Sequence, residues 1–229
     1  MTGLNPRKMA IDIYSDVMCP WCIIGYGQLQ QALDQLAGEI EAQIRWRPFE
    51  LNPDMAPEGE DRTEHIARKY GRTLDESKDI QSQMRQVAGQ ARVSLDYEGN
   101  QDPAPPAMMW NTFGAHILLT YVLDEYGPDK QTAVKLALFR AHFNERRRIG
   151  ARDVLLELAE AEGIERAAAV AALDDKALAA RVRAAERQAF EANITGVPAM
   201  IIDGKFLIPG AQQPDVYVNA LRRVAAKTG

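Results

Sequence analysis

Two cysteines three positions apart, Cys19 and Cys22, stand where a short predicted strand ends and a predicted helix begins. Residues 9–14 have the pattern of a strand, and Pro20 suits the first position of a helix. Residues i and i+3 on one helical turn are close enough for a disulfide. A loop of two residues gains little stability from closure, so a structural cross-link is the wrong interpretation. The spacing therefore predicts a reversible disulfide at the start of a helix.

The same helix belongs to a predicted βαβ unit at the front of the chain. Its apolar residues recur at spacings of four and three from Cys22 onward, and Gly38 suits its end. Residues 41–51 then have the pattern of a second strand before Asn52-Pro53.

The end of the chain also combines strands with a helix. Residues 199–202 and 205–208 flank Asp203-Gly204 in the manner of a β-hairpin, and Pro214 suits the start of a final helix. With the βαβ unit, this segment predicts one small α/β domain.

The middle of the chain is helical from about residue 59, with a capping box at Thr73 and Glu76. One predicted helix ends at Gly127-Pro128. Three more run over residues 131–143, 153–162 and 174–192. We therefore predict an α/β domain of residues 1–58 and 194–229, interrupted by an inserted helical domain of residues 59–193.

The positions of the two cysteines predict different roles. Cys19 lies at the helix N-terminus, where unpaired N–H groups and the helix dipole stabilise a thiolate. Cys22 lies on the apolar face of the helix and should be buried. We expect Cys19 to be the exposed attacking sulfur, Cys22 to be the resolving one, and exchange to pass through a mixed disulfide on Cys19.

Composition narrows the classes of partner. The chain has 27 Lys and Arg against 32 Asp and Glu, a net charge of −5, so nucleic acid is not an expected partner. A hydrophobic content of 46% is ordinary for a folded globular protein. We expect no membrane association and a cytoplasmic location, because no apolar stretch has the length of a signal peptide core or a membrane span.

The cysteine motif and several other segments resemble the DsbA-like thioredoxin-fold oxidoreductases, specifically the FrnE branch. The redox motif is Ser15-Asp16-Val17-Met18-Cys19-Pro20-Trp21-Cys22. The other matching segments are Trp46-Arg47-Pro48-Phe49-Glu50-Leu51, Asn111-Thr112, Ala115-His116, Gly196-Val197-Pro198 and Ile208-Pro209-Gly210-Ala211-Gln212. Together they cover most of the chain in the expected order.

The resemblance implies a thioredoxin fold with a large α-helical insertion. It implies that Pro198 follows a cis peptide bond and faces the cysteines, so that the Val197 backbone can bind an extended substrate beside Cys19. It also implies that Asn111 and His116 line the cleft opposite the cysteines.

The dipeptide between the cysteines departs from the periplasmic relatives, which carry His there. Here it is Pro20-Trp21, and we expect both residues to face the substrate. Without a neighbouring imidazolium the Cys19 thiolate should be less stabilised, which makes the pair less oxidising.

Three alternatives remain open from the residues. A zinc site would need two ligands besides the cysteines, and His65, His116 and His142 lack ligand spacing, so we expect no metal. The fold also resembles glutathione-dependent 2-hydroxychromene-2-carboxylate isomerases and kappa-class glutathione transferases, which typically carry Ser at the position of Cys19. The third alternative is a non-enzymatic redox-sensing binding module.

The favoured prediction is a thiol:disulfide oxidoreductase that acts on protein or small thiols through Cys19 and Cys22. We expect no bound cofactor, although glutathione could bind near Val197 as an exchange partner. A homodimer formed through the apolar helices between residues 107 and 143 is left open.

Overall fold

The computed structural model describes residues 5–71 and 73–227. In chain order the elements are β1 Arg7–Ser15, α1 Pro20–Gln35, β2 Ile40–Pro48, β3 Glu60–Asp61, α2 Arg62–Tyr70, α3 Leu74–Gln90, β4 Met108–Met109, α4 Phe113–Phe143, α5 Arg152–Ala161, α6 Arg166–Asp174, α7 Lys176–Glu191, β5 Ala199–Ile202, β6 Phe206–Pro209 and α8 Pro214–Lys227.

A mixed four-stranded sheet in the order β2-β1-β5-β6 forms the centre of the fold. β1 is parallel to β2 and antiparallel to β5, and β5 pairs antiparallel with β6. Asp203 and Gly204 both adopt positive φ, 48° and 68°, as the tight turn of the predicted hairpin requires. These strands and the helices around them confirm the predicted α/β class with a thioredoxin fold and a helical insertion.

Alternation along β1 directs its apolar side chains into the main core. Met9, Ile11 and Ile13 are buried in a cluster that also contains buried residues of α1 and α8. α1 and α8 contact each other, so both helices cover this side of the sheet.

The outer edge of β2 is closed by a side chain of the insertion. The backbone N–H of Trp46 donates to Gln131 Oε1 at 2.8 Å, and Gln131 Nε2 donates back to the Trp46 carbonyl at 2.9 Å. The Trp46 indole N–H also donates to the Thr132 hydroxyl at 3.0 Å. Gln131 therefore takes the place of a neighbouring strand and attaches α4 to the sheet.

The insertion differs from its prediction in two ways. α6, Arg166–Asp174, has no predicted counterpart, because its alanine-rich sequence has a weak apolar stripe. β3 and β4 pair as a two-stranded antiparallel sheet that is not predicted either. The predicted break at Gly127-Pro128 is confirmed, because Gly127 is non-helical, with φ 83° and ψ 179°, within α4. Across residues 5–71 and 73–227, no helix is long and apolar enough to cross a bilayer.

Gly27 allows α1 to approach the end of α3 closely. A Cβ at this position would overlap the carbonyl oxygen of Ala91 and lie 3.1 Å from Val93 Cγ1. The backbone of the chain after α3 is therefore packed directly on α1, without an intervening side chain.

Gly27→Ala is expected to lower the free energy of unfolding by about 1–3 kcal/mol, because the new methyl group forces backbone apart. Urea denaturation followed by circular dichroism measures this change. The matched control is Gly89→Ala in α3, where a Cβ would meet nothing within 4 Å. That variant should gain about 0.5–1 kcal/mol from helix propensity, and equal stability of the two variants would contradict the packing argument.

Candidate active site

Cys19 and Cys22 lie at the start of α1, directly after the loop that follows β1. Cys19 is the N-cap residue, with φ −83° and ψ 112°, and Pro20 is the first helical residue. The Cys19 N–H donates to the Asp16 carbonyl at 3.2 Å, and the Cys22 N–H donates to the Cys19 carbonyl at 3.0 Å. Both cysteines are free thiols.

The prediction that Cys19 is exposed is wrong, whereas burial of Cys22 is confirmed. Only 3% of Cys19 and 0% of Cys22 is accessible to solvent. Cys19 is buried in the main core cluster, and its sulfur lies against the Val197 carbonyl. Met18, one residue earlier, is buried in the core of the insertion, and its Sδ accepts the Trp110 N–H at 2.8 Å. Trp21 is 39% exposed, as expected, and is the accessible side chain of the dipeptide.

The peptide bond between Val197 and Pro198 is cis, which confirms the expectation for this loop. The Cys19 thiol donates to the Val197 carbonyl, with the sulfur 3.6 Å from the oxygen. The Pro198 carbonyl accepts the Gly210 N–H at 2.8 Å. Gly25 provides the space for this loop, because a Cβ there would lie 3.1 Å from Pro198 Cγ.

A buried carboxylate, that of Asp16, is hydrogen-bonded to the loop that precedes Cys19. Asp16 has no exposed surface, and its side chain accepts the N–H groups of Met18 at 3.3 Å and Leu51 at 2.8 Å. Burial raises the pKa of Asp16, although those two N–H groups, the Lys135 charge and the Thr112 hydroxyl favour its ionised form.

A buried ammonium group, that of Lys135, lies at the end of β1, before the loop that carries the cysteines. Lys135 of α4 is 1% exposed, and its Nζ is 3.4 Å from the Ser15 carbonyl oxygen. Burial lowers the pKa of Lys135 to about 8, while the charges of Cys22, Asp16 and Cys19 oppose this shift. Asp16 and Lys135 were both missing from the predicted site.

The two thiols share a hydrogen bond and ionise as a pair. The bond to Cys22 and burial raise the pKa of Cys19. Burial also opposes ionisation of Cys22, but the hydrogen bond from Cys19, the Lys135 charge and the Ser15 hydroxyl outweigh it and lower the pKa of Cys22. The two pKa values belong to the coupled pair, so the sulfur that carries its first negative charge stays a prediction.

Asn111 and His116 both have neighbours within the protein. The Asn111 side chain donates to the Met55 carbonyl at 3.1 Å and accepts the Phe113 N–H at 3.0 Å. His116 is 2% exposed, and its Nε2 lies 3.9 Å from Asp16 Oδ1. Their contact with substrate stays a prediction, while their observed contacts hold the loops around the site.

The loop after β2 is held to the site by three side chains from different segments. The backbone of Phe49 hydrogen-bonds His116, the backbone of Glu50 hydrogen-bonds Glu186 of α7, and the Leu51 N–H donates to Asp16. The Glu50 carboxylate is also paired with Arg183. Burial nevertheless raises the pKa of Glu50 to about 7.

Within residues 5–71 and 73–227, no three His, Cys, Asp or Glu side chains come together as a metal site. His65 is paired with Glu60 at 2.8 Å. His142 is buried.

Comparison with known proteins identifies one family over most of the chain. A model of the DSBA-like thioredoxin domain matches residues 10–222. The uncharacterized protein YwbO of Bacillus subtilis (strain 168) is 31% identical over 214 residues, which cover 92% of this chain and 94% of that protein.

Solved structures share the fold along nearly the whole chain. A probable DsbA oxidoreductase from Streptomyces coelicolor is 26% identical with a TM-score of 0.84, over 96% of this chain and 92% of that chain. Two more distant structures show the fold alone. One is a 2-hydroxychromene-2-carboxylate isomerase, 19% identical with a TM-score of 0.66 over 95% of this chain and 97% of that chain. The other is the cytosolic disulfide reductase DsbM from Pseudomonas aeruginosa with GSH, 19% identical with a TM-score of 0.60 over 95% of this chain and 99% of that chain.

The buried imidazole of His116 predicts a specific acid sensitivity. Burial lowers the pKa of His116 well below its usual 6.5, so the folded protein holds it neutral while the unfolded chain protonates it. Its contribution to stability is complete above pH 6.5 and falls below that by up to about 1.4 kcal/mol per pH unit. The stability difference between wild type and His116→Gln should therefore shrink by about 1 kcal/mol between pH 6 and pH 5.

Urea unfolding of both proteins at pH 7.5, 6 and 5 tests this expectation. Titrating groups that do not contact His116 are common to both proteins and cancel in the difference. Parallel stability curves over this range would contradict a buried neutral imidazole.

Proposed function

The chain belongs to the DSBA-like thioredoxin domain family, and on that basis we propose that it is a thiol:disulfide oxidoreductase that reacts through Cys19 and Cys22. The observation that carries the proposal is the pair itself: two free thiols three positions apart at the start of α1, with the cis Val197–Pro198 loop against Cys19. These are the only two cysteines in the chain, so the exchange needs no other protein sulfur.

Reduction of a substrate disulfide R–S–S–R′ begins when Cys19 loses its proton. The Cys19 thiolate attacks one substrate sulfur, a Cys19–S–S–R bond forms, and R′S⁻ leaves and takes up a proton. Cys22 then loses its proton and attacks the Cys19 sulfur, which forms the Cys19–Cys22 disulfide and releases RS⁻. Two electrons pass from the pair to the substrate. The reverse sequence oxidises a substrate dithiol.

The substrate must reach Cys19 along a narrow approach, because little of its surface is exposed. Trp21 offers apolar surface next to this position, and the Val197 backbone lies against the sulfur on the other side. We propose that an extended segment of the substrate lies along Val197 and Pro198 and replaces the contact between the Cys19 thiol and the Val197 carbonyl.

A small thiol is needed to return electrons to the oxidised pair. We propose glutathione as this exchange partner, with no cofactor held permanently. DsbM, which shares the fold, was solved with GSH, and this supports the choice of glutathione as the first thiol to test.

Wild-type protein should accelerate the reduction of insulin by dithiothreitol, and Cys19→Ser should return the rate to that of dithiothreitol alone. The reason is that Cys19 forms the mixed disulfide from which every later step proceeds. Cys22→Ser should instead accumulate a mixed disulfide at Cys19, measured by intact mass after incubation with oxidised glutathione.

The thiol-free control is the double variant Cys19→Ser, Cys22→Ser. Glutathione-dependent isomerisation of 2-hydroxychromene-2-carboxylate by this double variant would favour the isomerase alternative. Stoichiometric oxidation of the wild-type pair without turnover would favour a redox-sensing module. Either result would overturn the proposed exchange activity.

A further inference from the structure

Lys135 is a buried charge that the exchange steps above do not use. Its side chain is 1% exposed on α4, in the insertion, yet its Nζ points at the end of β1. Transfer of an ammonium group from water into a protein interior costs several kcal/mol unless it is compensated locally. The neighbours of Nζ therefore indicate what the lysine is for.

The uncharged neighbours of Nζ compensate this cost only in part. The hydrogen bond to the Ser15 carbonyl is long, at 3.4 Å. The ring centroids of Trp46 and Phe139 lie 5.2 Å and 4.9 Å from Nζ, which gives modest cation–π attraction. A full compensation requires a negative charge.

Two sources of negative charge lie near Lys135. Asp16 is present in both redox states, but it is already bonded to the N–H groups of Met18 and Leu51, and burial favours its neutral form. The other source is the cysteine pair, because both cysteines belong to the same buried cluster as Trp46 and Phe139, the two rings beside Nζ, and the charges of the pair and of Lys135 favour each other. This second charge exists only when the pair is reduced, since a disulfide is neutral.

We propose that Lys135 is a positioning residue for the redox reaction, whose ammonium group stabilises the thiolate of the reduced Cys19–Cys22 pair and thereby makes the pair a stronger oxidant. The inference rests on the proposed exchange function. The Pro20-Trp21 dipeptide has no charge and therefore supplies no cation beside the thiolate. The Lys135 ammonium, on α4 of the insertion, would supply one instead.

The reaction that measures this effect is the equilibrium with glutathione. The reduced pair and oxidised glutathione exchange two electrons and two protons to give the Cys19–Cys22 disulfide and two molecules of reduced glutathione. Lys135→Met removes the charge but keeps an unbranched chain against the two rings. It should shift this equilibrium toward the disulfide by tenfold or more, a fall in reduction potential of about 30 mV.

Lys130→Met is the matched control, because Lys130 is on the same helix and its Nζ donates to the Glu162 carbonyl at 2.8 Å. It should leave the equilibrium unchanged. Thiolate absorbance near 240 nm, followed against pH, should show a higher midpoint in Lys135→Met only. An equilibrium constant for Lys135→Met equal to that of wild type and Lys130→Met would overturn the proposal.

A measurement on the wild-type protein keeps the test valid if Lys135→Met does not fold. Coupling between two sites is reciprocal, so the thiolate must stabilise the ammonium as much as the ammonium stabilises the thiolate. Lysine NMR should therefore show a higher pKa for Lys135 in the reduced protein than in the oxidised protein. Asp16 and His116 face the same region in both redox states, so they do not produce this difference. Identical titration of Lys135 in both states would overturn the proposal.

Failure of the proposed exchange function and failure of the proposed role of Lys135 give different results. Both measurements are made at equilibrium and need no turnover of a protein substrate. Loss of insulin reduction in wild type, with a shifted equilibrium in Lys135→Met, would refute the exchange activity and leave the role of Lys135 intact. Insulin reduction by wild type, with an unshifted equilibrium in Lys135→Met, would support the exchange activity and refute the role of Lys135.

Discussion

The buried carboxylate of Asp16 joins the three segments that make the site. It accepts N–H groups from its own loop, at Met18, and from the loop after β2, at Leu51, and it hydrogen-bonds Thr112 immediately before α4. Each N–H would cost about 1–3 kcal/mol if it were buried without an acceptor. One side chain therefore determines how the cysteine loop, the second strand and the insertion meet.

The insertion is consequently part of the candidate site as well as a neighbour of the sheet. Through α4 it supplies Gln131, which closes the edge of β2, and Lys135, which lies near the cysteines. Its core also holds Met18, the residue before Cys19. A change in the packing of the inserted helices would thus alter the access to the sulfur and the charge around it.

Features stabilised by nearby residues could be predicted from the sequence, and features that depend on distant ones could not. The capping box at Thr73 and the turn at Asp203-Gly204 have their signals within four residues, and both are confirmed. Burial of Cys19 involves distant residues instead, since its sulfur lies against the carbonyl of Val197, 178 positions away. Lys135 did carry a signal, since a lysine in a helix that is apolar on most sides must be buried, but the sequence does not say which anion it faces. The cis bond before Pro198 was predicted from family resemblance, because local propensity favours trans.

Two buried charges act on the cysteine pair besides the contact between the two thiols and their burial. After those larger causes, the negative charge of Asp16 raises the pKa of Cys19, and the positive charge of Lys135 lowers that of Cys22. Both groups are buried, so water and salt screen them weakly, whereas a charge on the exposed dipeptide would be screened more. If the proposed role of Lys135 holds, the absence of histidine from Pro20-Trp21 removes one stabilising cation without leaving the thiolate uncompensated. The oxidising strength of the pair would then depend on Asp16 and Lys135 as well as on the dipeptide.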